Sequence, residues 1–390
     1  MVLVRELAVL SIVVPAVAAL LLWAWPEPAR PHVPVPQLVS VRGEDRVMFY
    51  ADLVPLQEGL KPLPLLVTGR ASNGAKGALL QEWPGFHAEA QFIGTAVSVR
   101  FEDNVNRWRV LIDNGRSGMI ELSRPGVNDL RIRGLTAGAH HIRVEKISES
   151  SMPTSFGGIL IDGDSEALPA PRARPRLIEF IGDSDTVGFA NTALRRDCTE
   201  DEVFSATDTS RSFGPKVAEA LDADFRMVAR SGIGLVRNYE GVTPQSTMTT
   251  RYPLALPSDP AAGRLADRPA DIVVTALGSN DFGSSFTESE PWADHEALSR
   301  DFAAALIAFL RDRVRENPGA IQVLLAFGEY GKPLLVPYQQ AEAALKADGQ
   351  QAVLITLPKL DRSACFWHPS AGDHDLIASW LTTAISPLVQ

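Results

Sequence analysis

The sequence predicts an all-β sandwich followed by an α/β domain with a parallel sheet, both behind an N-terminal apolar segment. Three observations lead to this fold class. The 390 residues exceed the usual length of one domain. Residues 38–167 contain short alternating segments without a long helical period, whereas residues 177–390 alternate between apolar strands and helices. The composition, 45% hydrophobic and 22% charged, is typical of well-packed globular chains.

Residues 1–26 contain an uncharged apolar run. It extends over nineteen residues, Leu7 to Trp25, which is long enough to cross a bilayer as a helix. The apolar core of a cleaved secretory signal is shorter, roughly 7–15 residues, so a retained signal anchor is favoured over a signal peptide. We therefore expect an exported protein, periplasmic or on the extracytoplasmic face, whose membrane contact is confined to this segment. Residues 27–37 are rich in proline and predict an extended linker.

Residues 38–167 have the pattern of an antiparallel sandwich or jelly roll. Alternation with a period of two is clear in AVSVRFED at 96–103 and in RWRVLIDN at 107–114. Turn sequences such as DNGRSG and TAGAHH separate the strands at short intervals. The proline-rich stretch at 168–176 then predicts a second linker.

Residues 177–390 change to strand–helix alternation. LIEFI at 177–181 and DIVVTAL at 271–277 are continuous apolar strands of the kind that parallel sheets bury on both faces. Helices are predicted between the strands, including one from Ala293 to Asn317 and a last one from about Ala371 to Ile385. Sites in such sheets form at the carboxyl ends of the strands, which directs attention to the residues that follow each strand.

Four segments at those strand ends carry residues suited to ester hydrolysis. Ser184 lies in IGDSDTVG, Gly232 in ARSGIGLVRN, Asn280 in LGSND and His368 in FWHPS. Each segment alone is explained equally well by an ordinary turn. Together they supply a nucleophile, a base and three oxyanion donors, namely the backbone N–H groups of residues 184 and 232 and the amide of Asn280.

Charge and spacing exclude several other classes of function. The net charge of -10 argues against nucleic-acid binding, which needs a basic surface. Arg237 occupies the place of the third glycine in a dinucleotide fingerprint, so no such cofactor is predicted. No metal site is predicted either, because four further histidines lack partners at ligand spacing: His140, His141, His295 and His374.

These segments resemble blocks I, II, III and V of the SGNH (GDSL-type) hydrolase superfamily. Over nearly all of residues 70–388 the chain further resembles carbohydrate esterase family 2, notably in GFHAEAQFIGTAVSVRF and CFWHPSAGDH. The resemblance implies a jelly roll joined to a three-layer α/β/α domain. It also implies an esterase that removes O-acetyl groups from polysaccharides or oligosaccharides, without metal or organic cofactor. It suggests a Cys198–Cys365 disulfide, a pairing that export permits but that the residues themselves leave open.

The segment around His368 departs from the family pattern. Cys365 and Phe366 stand where related enzymes carry an orienting aspartate, and no carboxylate lies between Asp361 and His368. We therefore expect a Ser–His dyad in which a backbone carbonyl holds the imidazole. Recruitment of Asp361 or of a distant carboxylate is the alternative. Asp183, beside the nucleophile, is expected to brace its turn by hydrogen bonds.

Four residues near the motifs are candidate substrate contacts: Trp367, Asn191, Arg237 and Asn238. Two other functions stay open from the sequence. The same site would serve an esterase or acyltransferase with another small acyl substrate. Alternatively, the absence of the orienting acid is compatible with a non-catalytic protein that binds glycans.

Overall fold

The computed structural model describes residues 38–41 and 48–389 of the chain. The predicted signal anchor at 1–26 and the linker at 27–37 therefore lie outside the described residues. Within the described ranges, no helix combines the length and the hydropathy needed to cross a membrane.

Short β-strands make up the first part of the described chain. In chain order they are β1 (Leu38–Val41), β2 (Met48–Val54), β3 (Lys61–Pro62), β4 (Leu66–Thr68), β5 (Ser72–Asn73), β6 (Leu79–Gln81), β7 (His87–Ile93), β8 (Ala96–Asp103), β9 (Arg107–Ile112), β10 (Gly118–Ser123), β11 (Gly126–Arg133), β12 (Ala139–Lys146), β13 (Thr154–Ile161) and β14 (Glu166–Ala167). The alternating segments at 96–103 and 107–114 are thus observed as β8 and β9.

These strands form two antiparallel sheets around one core. The first sheet has the order β1-β2-β11-β8-β13-β6-β5, with β3 beside β13, and the second has the order β10-β9-β12-β7-β14, with β4 beside β7. Alternate side chains of both sheets point inward and share one hydrophobic cluster. Trp108 of the second sheet stacks on Phe156 of the first with ring centroids 5.8 Å apart. The alternation read from the sequence therefore corresponds to burial on one face of each sheet.

The second part of the chain contains a parallel five-stranded sheet. Its strands have the order β16-β15-β17-β18-β19, with all neighbours parallel. Their bounds are β15 (Arg176–Gly182), β16 (Ala223–Ala229), β17 (Ile272–Ala276), β18 (Ile321–Phe327) and β19 (Ala352–Leu357). The first four are almost wholly buried, as their predominantly apolar sequences predict, and the charged Glu179 and Arg226 within them pair with each other.

The helices of this domain lie between and beyond its strands. They are α1 (Ser184–Val187), α2 (Glu200–Ala206), α3 (Phe213–Ala220), α4 (Met248–Arg251), α5 (Ser279–Phe282), α6 (His295–Glu316), α7 (Lys332–Ala347) and α8 (Ala371–Ile385). Helix α3 packs against α8, and α6 packs against α7. The long helix begins later than its sequence pattern predicts, because Asp294 caps it by accepting a hydrogen bond from the Ala297 N–H at 2.8 Å.

Buried polar contacts join the sandwich to the α/β domain. Arg70 of the sandwich pairs with Glu179 of β15 at 3.2 Å, and both side chains are fully buried. Glu179 also accepts from Arg226 at 2.8 Å and from the hydroxyl of Tyr252 at 2.7 Å. Trp83 of the sandwich packs into the core of the α/β domain. The two domains are therefore fixed against each other by buried contacts.

Candidate active site

A cavity of about 680 Å³ lies at the carboxyl edge of the parallel sheet. Residues that follow each of the five strands line it: Ser184 after β15, Gly232 after β16, Asn280 after β17, Glu329 and Tyr330 after β18, and His368 after β19. The four residues proposed for catalysis from sequence therefore meet at one cavity, together with Trp367. The parallel sheet explains this convergence, since all its strands end at the same edge.

Ser184 is placed by a tight turn directly after β15. Asp183 caps the short helix α1: its carboxylate accepts from the Asp185 N–H at 3.0 Å, and its carbonyl accepts from the N–H groups of Thr186 and Val187. The first N–H groups of a helix have no acceptor inside the helix. In the described chain this leaves the Ser184 N–H without a hydrogen-bond partner. A cavity-lining serine with a free backbone donor is what an acyl-transfer site requires.

Glycine is required at the end of β15 for a steric reason. A Cβ atom at Gly182 would lie 1.9 Å from the Thr186 hydroxyl oxygen and 2.9 Å from the Ala276 carbonyl oxygen. A larger residue there would displace α1 and with it Ser184. This explains why the strand passes into the nucleophile turn through glycine.

The backbone carbonyl of Cys365 holds the imidazole of His368. Its Nδ1 atom lies 2.9 Å from this oxygen. A carbonyl oxygen only accepts, so Nδ1 carries the proton and Nε2 of the neutral ring keeps a free electron pair. Among the described residues, no carboxylate forms a hydrogen bond or an ion pair with His368, and the Asp361 side chain is not a partner. The arrangement is that of a dyad.

No hydrogen bond joins the side chains of Ser184 and His368 in the described part of the chain, although both line the cavity. Such catalytic hydrogen bonds often form only when substrate binds. The Phe189 ring packs on the imidazole with centroids 4.4 Å apart. The ring of His368 is thus held by an aromatic contact on its face and by a hydrogen bond on its edge.

Asn280 and Gly232 complete the set of donors. One amide hydrogen of Asn280 donates to the Ile233 carbonyl at 2.8 Å, which orients the side chain and leaves the second hydrogen for a ligand. Gly232 has a φ of +78°, a conformation that favours glycine. Asp281, the next residue after Asn280, accepts from three successive N–H groups of the following loop, Leu235, Val236 and Arg237, each at 2.9 Å.

An ion network in the wall of the cavity, formed by residues that line it, was not predicted from sequence. Asp185 pairs with Arg362 at 2.7 Å, and Arg362 also contacts Glu329. Burial alone would raise the pKa of Asp185, but attraction to the Arg362 guanidinium outweighs it and lowers the pKa. The neighbouring Asp183 has its pKa raised by burial and by the charge of Asp185. Asp185 and Arg362 are 177 residues apart, and no local pattern signals their pairing.

The loop that carries the base is strained and tied down. Arg362, Phe366 and Trp367 have φ values of 50°, 52° and 59°, in the left-handed region that non-glycine residues rarely occupy. Cys365 forms a disulfide with Cys198. Arg196 accepts from the Phe366 N–H at 2.8 Å through its carbonyl. The disulfide and the hydrogen bond from residues 196–198 stabilise the loop of residues 362–368 in a conformation that it would not keep alone.

Three of the four candidate substrate contacts are corrected by the structure. Asn191 is fully buried and exchanges two hydrogen bonds with the backbone of Asp208. Arg237 is buried against Glu290 and the backbone of residues 281–285. Asn238 accepts from the Gly234 N–H at 3.0 Å and donates to the Val242 carbonyl at 2.9 Å. The polar side-chain groups of all three residues form hydrogen bonds or ion pairs within the protein, so none is available to bind substrate in this structure.

Exposed aromatic side chains surround the mouth of the cavity. Trp367 is 62% exposed, Phe366 49% and Tyr239 45%, and all three line the cavity. Aromatic residues are usually buried, so three exposed ones at a single opening indicate a surface that contacts a ligand. Only Trp367 was anticipated from the sequence.

Comparison with known proteins gives a consistent result. Residues 67–171 match the family model described as Carbohydrate esterase 2 N-terminal. An acetylxylan esterase / glucomannan deacetylase of Cellvibrio japonicus is 33% identical over 332 residues, covering 84% of this chain and 91% of that protein.

Solved structures show the same likeness. A carbohydrate esterase structure, described as displaying divergent catalytic and non-catalytic binding functions of its active site, is 33% identical with a TM-score of 0.77, over 84% of this chain and 98% of that one. A family two carbohydrate esterase from Clostridium thermocellum, in complex with cellohexaose, is 26% identical with a TM-score of 0.71, over 83% of this chain and 99% of that one.

Proposed function

The chain belongs to carbohydrate esterase family 2 and is a carbohydrate acetyl esterase, and we propose that it acts through a Ser184–His368 dyad. Its substrates are polysaccharides or oligosaccharides, as the relative bound to cellohexaose indicates. We propose that the group removed is an O-acetyl ester on such a chain. The exposed aromatic rim, with Trp367 as its most exposed member, suits contact with sugar rings.

The proposed reaction proceeds through an acyl-enzyme. The hydroxyl oxygen of Ser184 attacks the acetyl carbonyl carbon while His368 Nε2 accepts the hydroxyl proton. The imidazolium then donates that proton to the sugar oxygen as the bond between this oxygen and the acetyl carbon breaks. Water, activated by the same nitrogen, releases acetate. The negative charge on the carbonyl oxygen is met by the N–H groups of Ser184 and Gly232 and by the free amide hydrogen of Asn280.

One observation carries the proposal: the 2.9 Å bond between His368 Nδ1 and the Cys365 carbonyl. This hydrogen bond fixes the tautomer and the orientation of the imidazole, two roles that an aspartate usually fills. It supplies less charge stabilisation for the imidazolium, because a carbonyl bears a partial charge. That no carboxylate of the described residues is hydrogen-bonded to His368 is therefore compatible with catalysis and gives no support to a purely glycan-binding role.

The test measures acetate release from acetylated xylan and from an aryl acetate by the purified protein. Ser184→Ala and His368→Ala should each lower kcat by at least about 10³-fold. Ser289→Ala and His295→Ala, which change exposed residues outside the cavity, are the matched controls and should leave kcat unchanged. Full activity in either dyad variant would remove the proposal. Preference for acyl chains longer than about four carbons would contradict the proposed removal of an acetyl group.

We also propose that the protein works outside the cytoplasmic membrane. The Cys198–Cys365 disulfide supports this, because such bonds persist in oxidising compartments. The uncharged run at residues 7–25 supports it independently. Trapping thiols by alkylation in intact cells should find both cysteines oxidised, and fractionation should find the protein with the envelope or outside it. Free thiols and cytoplasmic recovery would contradict the proposal.

A further inference from the structure

The segment that ends at Gly232 is held by the sandwich domain. The Ser231 N–H donates to the carboxylate of Glu149 at 2.7 Å. Arg230, one residue earlier, pairs with Glu82 at 3.1 Å. Both glutamates belong to the sandwich, and Gly232 is the next residue of the catalytic cavity. A contact between the domains thus lies one peptide away from an oxyanion donor.

Glu149 projects from a fixed loop between β12 and β13. On one side, the Ser148 hydroxyl donates to the side chain of Asn106 at 3.0 Å. On the other, the Ser150 hydroxyl donates to the Glu82 carbonyl at 3.4 Å. The Glu82 side chain is itself buried and binds Ser258 of the α/β domain. Hydrogen bonds on both sides of Glu149 therefore hold the backbone from which its carboxylate projects.

The α/β domain leaves the Gly232 peptide only partly constrained. Its carbonyl accepts from the Tyr239 N–H at 3.0 Å, and the Ile233 N–H donates to the Arg230 carbonyl at 3.3 Å across the turn. The Asp281 carboxylate binds the loop only from Leu235 onward. A Cβ built on Gly232 would meet nothing within 4 Å, so that side of the residue is open space without a packing contact. Along the backbone, the Gly232 N–H is flanked on both sides by hydrogen-bonded groups. The Ser231 N–H before it donates to Glu149, and the Gly232 carbonyl after it accepts from Tyr239. The bond from the Ile233 N–H to the Arg230 carbonyl closes the turn, and the bonds to Tyr239 and Glu149 fix how this turn is oriented in the site.

We propose that Glu149 is a positioning residue for the oxyanion hole, so that the sandwich domain forms part of the catalytic apparatus. Glu149 accepts the Ser231 N–H and thereby aims the Gly232 N–H into the cavity. Without this acceptor, rotation of the Ser231 peptide would turn the donor away from the developing oxyanion. The inference rests on the proposed role of the Gly232 N–H in that hole.

The test compares two substitutions at Glu149 with one control. Glu149→Ala removes the acceptor, and kcat should fall about 10–100-fold, the range expected for misplacing one oxyanion donor, with KM within about threefold. Glu149→Gln keeps an acceptor oxygen and should restore kcat to within about threefold. Glu58→Ala changes an exposed glutamate of the same domain and should have no effect. If the alanine variant does not fold, Glu149→Asp, which withdraws the carboxylate by one methylene, carries the same expectation.

A second readout separates positioning from general stability. Labelling of Ser184 by an organophosphonate places a phosphonyl oxygen in the oxyanion hole, so its rate should fall in Glu149→Ala by the same factor as kcat. Wild-type labelling and kcat in a folded alanine variant would overturn the inference, as would a glutamine variant no better than alanine. An active Ser184→Ala enzyme would instead refute the proposed function. An inactive Ser184→Ala enzyme beside a fully active Glu149→Ala enzyme would refute only the role of Glu149.

Discussion

Replacing Cys198 and Cys365 together with serine would remove the disulfide next to the catalytic base. The bond joins residues 167 positions apart. The chain-entropy relation for a loop of that length gives about 5 kcal/mol of stabilisation, as an upper value, and native disulfides typically contribute about 2–4 kcal/mol. We therefore expect the free energy of unfolding of the double variant to be lower by about 2–5 kcal/mol.

The same substitution should weaken catalysis without abolishing it. The Cys365 carbonyl holds His368, and loss of one neutral hydrogen bond costs about 1 kcal/mol, or about five- to tenfold in kcat. The loop stays attached because Arg196 still binds the Phe366 N–H, the Arg362 carbonyl and the Asp361 carbonyl at 2.8–2.9 Å. These three bonds limit the displacement of the imidazole.

Urea unfolding followed by tryptophan fluorescence, together with acetate release, would measure both effects. Wild-type protein in reductant should behave like the double variant, and the variant itself should not respond to reductant. Equal unfolding free energies in the variant and the wild type would refute the loop-closure reasoning. An unchanged kcat in a demonstrably less stable variant would show that the carbonyl keeps its place without the disulfide.

Two further predictions concern the oxyanion donors and the buried ion network. Asn280→Ala removes the free amide hydrogen, so kcat should fall about 10²–10³-fold with little change in KM; a fall below about threefold in steady-state assays would remove Asn280 from the hole. The pKa of Glu179, which burial alone would raise, is lowered from 4.5 to about 2 by Arg226 and Arg70. Its stabilisation, about 3 kcal/mol, is therefore present above pH 4.5 and lost as the pH falls toward 2. Glu179→Gln should accordingly flatten the decline of unfolding free energy between pH 5 and about pH 2.5; parallel curves would contradict the assignment.

Strand ends were predictable because their signals are local. A continuous apolar run such as LIEFI indicates a strand buried on both faces, and parallel strands must end at one edge. Ser184, Asn280 and His368 could therefore be assigned to one cavity from their places after such runs. The family resemblance, carried by those segments, gave the esterase function, and the comparisons confirm it.

Polar residues beside the motifs could not be assigned in the same way. Asn191, Arg237 and Asn238 lie near catalytic segments in sequence, yet internal hydrogen bonds use their polar groups. Conversely, Arg362 lines the cavity in an ion pair with Asp185, and Glu149 contacts the site through Ser231, although neither partner is near in sequence. In each case, distance along the chain from a catalytic motif did not show whether a side chain contacts the cavity.

Sequence alone determined the alternation of strands and helices, the order of the two β-containing regions and the residues at the strand ends, because periodicity and turn chemistry act over a few neighbouring residues. Only the tertiary structure decided what holds His368 and which polar side chains face the cavity. Which polar side chains face the cavity depends on hydrogen bonds and burial between segments up to 177 residues apart, as for Asp185 and Arg362. The partner of His368 lies only three residues away, but the conformation that brings the Cys365 carbonyl to the ring is held by the distant segment around Cys198. A buried polar group must find a partner, and the folded chain decides which partner lies within reach.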